Sequence, residues 1–284
     1  MRGFCESAEE LGFTSLWVQE HLFFALHPSA PYAARPGMPV PEAYKITLAA
    51  TELLTAAAAW TTTPLLGTGI LVGGYHRPVE LAQRLAAIDI LSNGRLIAGL
   101  SVGWSKDEHD QMDVEFTTRG RRMDELVRAL KACWGPDPVN FEGEFFSIRD
   151  ALVAPKPLQQ PHPPLLSGMR SEAGLRRTAA LFDIWNPASG TTEQILAAVD
   201  AINGQRADGA APIDVIQRVF TEPPFVVPGL APLSIDAMQA TVATAKANGF
   251  REVVIDTAFT TEVHSPEDWV AFPARLAPVL DALR

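Results

Sequence analysis

At 284 residues with 47% hydrophobic composition, the chain can bury a sizeable core, which excludes disorder as its main state. Lys+Arg 23 against Asp+Glu 33 gives a formal charge of −10, which opposes general attraction to nucleic acid or an anionic membrane. The apolar stretches Ile46–Trp60 and Leu65–Gly74 are too short or too interrupted to span a bilayer.

The first residues, Met-Arg-Gly-Phe-Cys-Glu-Ser-Ala-Glu-Glu, carry acids where an export signal carries its apolar core. Cys5 and Cys133 lack metal or redox spacing and read as buried thiols, so a cytoplasmic location is expected. Residues 5–11 form a helix that ends at Gly12, and the strand Thr14–Val18 follows. The same helix–glycine–strand join recurs at Leu91-Ser-Asn-Gly94 and at Ala245-Lys-Ala-Asn-Gly249.

Further strands are expected at Leu65–Val72, Arg95–Leu100, Pro164–Ser167, Asp183–Asn186, Ile213–Phe220 and Glu252–Thr257. Helices between them include Pro78–Leu91, Arg119–Trp134, Thr191–Arg206 with a Thr-x-x-Gln capping box, Ser234–Asn248 and Ser265–Leu283. Apolar strands alternating with helices predict a parallel sheet covered on both faces. The seven strands are one short of a closed (β/α)8 TIM-type barrel, and the chain begins on a helix, so the expectation is a barrel lacking its first strand. Composition does not shift along the chain, and residues 1–284 read as one domain.

Three loops are long enough to be functional: His21–Tyr44, Gly103–Thr118 and Gly135–Pro164, the last holding a strand-like pair around Gly143. At the end of the first strand, Glu20 and His21 point to the barrel mouth, where imidazole can exchange protons near neutral pH; on spacing alone an ordinary loop histidine beside a carboxylate is the favoured reading. Leu66-Gly-Thr68-Gly69-Ile70 carries strand glycines that mark either a bulge under a flat ligand or close packing of a neighbouring side chain. Gly168-Met169-Arg170-Ser171 places a strand end against a helix N-terminus, an anion site or a plain serine cap, with Arg176 and Arg177 one turn on. Gly99-Leu-Ser101-Val-Gly103 matches a nucleophile elbow, for which Asp256 and His264 would complete a hydrolase triad. The remaining histidines show no metal spacing.

Together the segments Ala8-Glu-Glu-Leu-Gly-Phe-Thr-Ser-Leu-Trp-Val-Gln-Glu-His21, Leu66–Val72, His76-Arg-Pro-Val-Glu-Leu-Ala82, Asp89–Leu96, Gly99–Trp104, Arg119-Gly-Arg-Arg-Met-Asp-Glu125, Pro155-Lys-Pro157 and Pro163–Gly168 resemble the luciferase-like monooxygenase family. Within it they are most similar to the coenzyme F420 (deazaflavin)-dependent oxidoreductases of actinobacteria. The resemblance implies a luciferase-like barrel that binds F420, or alternatively FMN, and a small-molecule substrate, with a homodimer as the working unit. It implies cofactor contacts at Thr68, Gly69 and Ile70, a stretch that in many relatives holds a non-proline cis peptide, and at Gly103, Trp104, Gly168, Met169, Arg170 and Ser171. His21 would be the proton donor or acceptor, and Glu20 its orienter or a cofactor contact.

The loops Leu22–Tyr44 and Ser105–Thr118 would cover the substrate, with Phe23, Phe24, Tyr44 and Trp104 as an apolar lid. Trp104 stands where sugar-phosphate dehydrogenases of the family carry a catalytic glutamate, which argues against that activity. An FMNH2-dependent monooxygenase and a catalytically silent cofactor-binding barrel are the alternatives. The absent first strand would leave an open edge between Thr14–Val18 and Glu252–Thr257, in need of a cover.

Overall fold

The structure, a computed structural model, describes residues 1–30, 45–221, 233–258, 260 and 263–283. Tyr44 and most of the loop expected to cover the substrate lie outside the described residues.

The chain opens with α1 (Arg2–Leu11), turns at Gly12 with φ 93°, and enters β1 (Ser15–Val18). Then follow α2 (Ala50–Trp60), β2 (Leu65–Thr68), β3 (Leu71–Val72), α3 (Pro78–Leu91), β4 (Leu96–Ser101), α4 (Lys106–Gln111) and α5 (Arg119–Trp134). A hairpin of β5 (Val139–Glu142) and β6 (Ser147–Ala151) precedes β7 (Leu165–Ser167), α6 (Glu172–Leu181), β8 (Ile184–Trp185), α7 (Thr192–Asn203), β9 (Asp214–Phe220), α8 (Ile235–Ala247), β10 (Glu252–Asp256) and α9 (Pro266–Leu276).

The seven expected strands are all present, with Leu65–Val72 divided into β2 and β3. The expected capping box forms at Thr191, where the hydroxyl and the Gln194 side chain satisfy each other's backbone N–H groups. Two helices differ from expectation. The alanine-rich α2 lacks a polar face to reveal its period, and α4 lies inside the expected loop Ser105–Thr118, its Lys-Asp-Glu-His-Asp-Gln run carrying no apolar stripe.

Strand order in the main sheet is β1-β2-β4-β7-β8-β9-β10, with β3 also on β4, and every pairing in it is parallel. The sheet curls into a nearly closed (β/α) barrel. One cluster gathers Trp17, Leu65, Ile97, Leu166, Ile184, Ile216 and Val254, one side chain from each strand of the main path, and Ile70 lies with them. These side chains fill the lumen, so a ligand has room only beyond them, at a strand end. Burying each apolar side chain contributes roughly 1.5–3 kcal/mol before entropy is charged.

Among the described residues, β1 and β10 are not hydrogen-bonded to each other. Their seam is bridged by side chains. Thr14 Oγ1 donates to Glu252 Oε1 at 2.8 Å. Outside, α1 lies on α9, with the Phe4 ring edge-on to Trp269 at 5.9 Å and Gly3 against Val270, where an added Cβ would stand 3.0 Å from a methyl carbon. No helix among the described residues is long and apolar enough to cross a membrane.

Candidate active site

The chain leaves β1 at Val18 and continues through Gln19, Glu20 and His21 outside the strand. Glu20 turns toward β3 and accepts from the Val72 N–H at 2.7 Å and from His76 Nε2, which stands 3.1 Å from both carboxylate oxygens. His21 turns the other way. Its Nδ1 lies 3.1 Å from Glu108 Oε2, and its ring packs against Phe24 at 4.7 Å and Trp104 at 5.9 Å. Glu20 is thus engaged by Val72 and His76, and the carboxylate beside His21 is Glu108.

Glu108 is held at both oxygens, since the Leu22 N–H donates to Oε1 at 2.7 Å. Ser105 caps α4 and accepts from the Glu108 N–H at 3.2 Å, which fixes where the side chain starts. Burial alone would push the Glu108 carboxyl pKa up, but the His21 ring, the Leu22 N–H and the nearby Tyr75 hydroxyl outweigh it, and the pKa falls below the ordinary value. Burial and the Glu108 charge push the Tyr75 phenol up in turn. Tyr75 Oη is buried without a hydrogen bond of good geometry.

The next residue, His109, is fully buried, with Nδ1 2.7 Å from the Ser105 carbonyl and Nε2 3.1 Å from that of Val102. Gly103 has φ 74°, and a Cβ there would stand 2.6 Å from Val72 Cγ1 and 2.8 Å from His109 Cε1. Only glycine fits that turn, which presents Trp104 to His21.

The floor of the mouth is the break between β2 and β3. The Gly69–Ile70 peptide is cis, as the resemblance implied. Thr68 is buried, and its hydroxyl donates to the Gly99 carbonyl at 2.8 Å and accepts from the Gly99 N–H at 2.7 Å, so it serves the sheet. The two strand glycines divide the readings offered for them. A Cβ at Gly67 would stand 2.2 Å from the Trp17 ring, whereas one at Gly69 would meet only ordinary contact at 3.5 Å. Close packing explains Gly67, and Gly69 is left at the partly exposed bulge. Gly168 joins it from the end of β7, where an added Cβ would press on Ile70 at 3.1 Å and stand 3.7 Å from Ser101.

Behind the bulge, Arg218 of β9 donates to the Gly69 carbonyl at 3.1 Å and to Gln19 Oε1 at 3.4 Å, and is ion-paired with Asp256 of β10. This guanidinium ties both sides of the open seam to the floor. Four groups from several strand ends thus converge: the Glu20–His76 pair, the His21–Glu108 pair, the Arg218–Asp256 pair and the backbone of Gly69, Ile70, Gly103 and Gly168.

At the start of α6, Met169 is buried and its carbonyl accepts from Trp185 Nε1 at 2.8 Å, while Arg170 and Ser171 are exposed. The Ser171 hydroxyl accepts from the Gly174 N–H at 3.1 Å and so is the helix cap. Arg176 pairs with Glu172, and Arg177 with Asp124 and the Gly120 carbonyl, so neither turns to the strand ends. An anion at this terminus would be met by the first-turn N–H groups and Arg170. The hydrolase reading fails on geometry: Asp256 is committed to Arg218, and His264 is exposed, with its backbone N–H on Asp268.

Sequence reasoning missed Glu108, His76, Tyr75 and Arg218, and offered Asp256 only as the acid of a hydrolase triad. Glu108 sits in a charge run that reads as a solvated face, and Arg218 falls in an apolar strand, where a lone arginine at a covered position was the available signal. Among the described residues, no group of three or more His, Cys, Asp or Glu is placed to hold a metal ion.

Comparison with known proteins matches residues 1–227 to the family model for the luciferase-like monooxygenases. The FMNH2-dependent dimethylsulfone monooxygenase of Pseudomonas putida is 34% identical over 176 residues, which is 61% of this chain and 46% of that protein. The F420-dependent glucose-6-phosphate dehydrogenase of Amycolatopsis mediterranei is 31% identical over 162 residues, 55% of this chain and 43% of that one. The chain therefore matches about half the length of these relatives. The crystal structure of a long-chain alkane monooxygenase superposes with a TM-score of 0.71 at 15% identity, covering 99% of this chain and 83% of that one, a likeness of fold.

Proposed function

Because the chain belongs to the luciferase-like monooxygenase family, we propose that this enzyme is an F420-dependent oxidoreductase moving a hydride between the deazaflavin and a small organic substrate. The observation that carries the reading is the placement of His21, paired with a carboxylate and packed on Trp104, at the strand ends beside the bare Gly69–Ile70 bulge. A flat ring system fits that floor, since Gly69 is half-buried and carries no side chain above the bulge, with the nearest atom to an added Cβ at 3.5 Å.

When bound, the deazaflavin supplies a carbon centre that gains or loses hydride. The residues of this chain do the rest. Gly69, Ile70, Gly103 and Trp104 border the ring, and the α6 terminus with Arg170 and Ser171 takes the phosphate. Thr68 and Met169 support from behind, and Glu20 holds the bulge through the Val72 N–H. His21 gives or takes the substrate proton, and Trp104 and Phe24, packed on its ring, exclude water from it. The same reading takes residues 1–284 as one barrel domain and a cytoplasmic homodimer as the working unit.

A second reading keeps the fold and uses FMNH2, and the dimethylsulfone monooxygenase of Pseudomonas putida favours it. Anaerobic fluorescence titration with F420 and, separately, FMN decides between them. Selective F420 binding supports the oxidoreductase; selective FMN binding overturns it in favour of the monooxygenase; F420 binding with no turnover of any alcohol, aldehyde or imine tested leaves a silent barrel.

A further inference from the structure

We propose that Glu108 is a positioning residue that holds His21 as its Nδ1–H tautomer, so that proton exchange in the mouth takes place at Nε2. The role for Nε2 rests on the function proposed above; the tautomer does not. Glu108 Oε1 is already taken by the Leu22 N–H at 2.7 Å, and Oε2 faces His21 Nδ1 at 3.1 Å. An ionised carboxylate only accepts, so Nδ1 must donate, and the second ring nitrogen is then the atom whose proton count can change.

The pair is shielded, with side-chain exposures of 8% for His21 and 2% for Glu108, which strengthens the preference over what it would be in water. Both partners are anchored by backbone. Leu22 follows His21 in the chain, and the Ser105 cap fixes the first turn that carries Glu108. His109, one residue on, anchors that turn again through the Ser105 and Val102 carbonyls. The arrangement repeats the logic of a carboxylate that sets the tautomer of a catalytic histidine in a serine protease.

Glu108→Gln makes the idea testable with almost no change of shape. The glutamine oxygen is needed by the Leu22 N–H, which turns the amide NH2 toward Nδ1 and forces that nitrogen to accept. The tautomer should therefore flip. The measurement is long-range 1H–15N correlation of histidine-labelled protein at mildly alkaline pH, with His21→Gln to assign the signal. The wild-type His21 is expected as Nδ1–H, Glu108→Gln as Nε2–H, and Glu108→Asp as Nδ1–H.

With F420 and a turned-over substrate, Glu108→Gln should lower kcat roughly 10²–10⁴-fold with cofactor Kd within about twofold, and Glu108→Asp should recover part of the loss. A wild-type His21 found as Nε2–H, or an unchanged tautomer in Glu108→Gln, overturns the proposal. Equal losses in kcat and in cofactor affinity, without recovery by Glu108→Asp, reduce Glu108 to a structural residue and overturn it too. If Glu108→Gln fails to fold, the wild-type and Glu108→Asp spectra still decide. A tautomer that behaves as expected in a protein that binds no F420 would sink the proposed function and leave the positioning intact.

Discussion

Two part-buried arginines stand at opposite ends of the barrel and are used in opposite ways. Arg95, at the amino end just before β4, makes five hydrogen bonds, all to neutral oxygens: the carbonyls of Ser92, Pro64, Ala58 and Thr61 and the Thr61 hydroxyl. Arg218, at the carboxyl end, is held by an ion pair with Asp256 and spends one donor on the backbone of the half-buried bulge. The amino end closes its polar groups on themselves. The carboxyl end pairs its charges around a half-buried bulge, which is the division between stability and chemistry expected for a β/α barrel.

The sharpest way to break that comparison is to make one substitution at each end. His21→Ala should lower turnover roughly 10²–10⁴-fold, because the group that moves the proton is gone. Arg95→Met should leave turnover per folded molecule unchanged and cost about 3 kcal/mol, since several carbonyls lose a charged donor at once. For a chain of this size that is a fall in melting temperature of about 6–12 °C. Steady-state kinetics and thermal unfolding on both variants check the pair. A larger melting loss in His21→Ala than in Arg95→Met would erase the division of labour.

How far the sequence exposes these two ends is itself uneven. The strands were legible because fully covered parallel strands are apolar runs, and α5 was legible to the residue because Met123, Leu126, Val127 and Leu130 mark its period. Glu20 and His21 were legible as strand-end groups, but which partner each takes was not. The Glu108 partner lies 87 residues from His21 in a six-residue helix without an apolar face. Spacing carries no record of a contact formed by the curl of the sheet, and the same holds for Arg218 reaching Gly69 across 149 residues.

A finer cut runs within one strand segment. Gly67→Ala should cost about 1–3 kcal/mol, because its Cβ would collide with the Trp17 ring in the packed lumen. Gly69→Ala, with no contact closer than 3.5 Å for the Cβ, should keep more of the melting temperature and instead weaken cofactor binding. Thermal unfolding and cofactor titration on the two variants separate them. Equal effects on both readouts would mean that Gly69 is a packing glycine like its neighbour.

The smallest effect belongs to Glu9, the amino-end carboxylate that ties α1 to the turn before β2. Its Oε1 accepts from the N–H and hydroxyl groups of both Thr62 and Thr63, at 2.7–2.9 Å. Desolvation opposes ionisation, but these donors outweigh it and hold the pKa at about 2 against an ordinary 4.5. A carboxyl whose folded pKa is depressed adds stability that is full above the unfolded value and is lost as pH falls through the folded one. The window is thus from about 4.5 down to about 2. Solvent screens this site, so the contribution is modest. Glu9→Gln keeps an acceptor oxygen and removes the charge. Its melting temperature should sit slightly below wild type at neutral pH and approach it as the buffer is taken below pH 4.5, whereas a gap that widens on acidification would show that the amino end, too, stores charge that its neighbours do not satisfy.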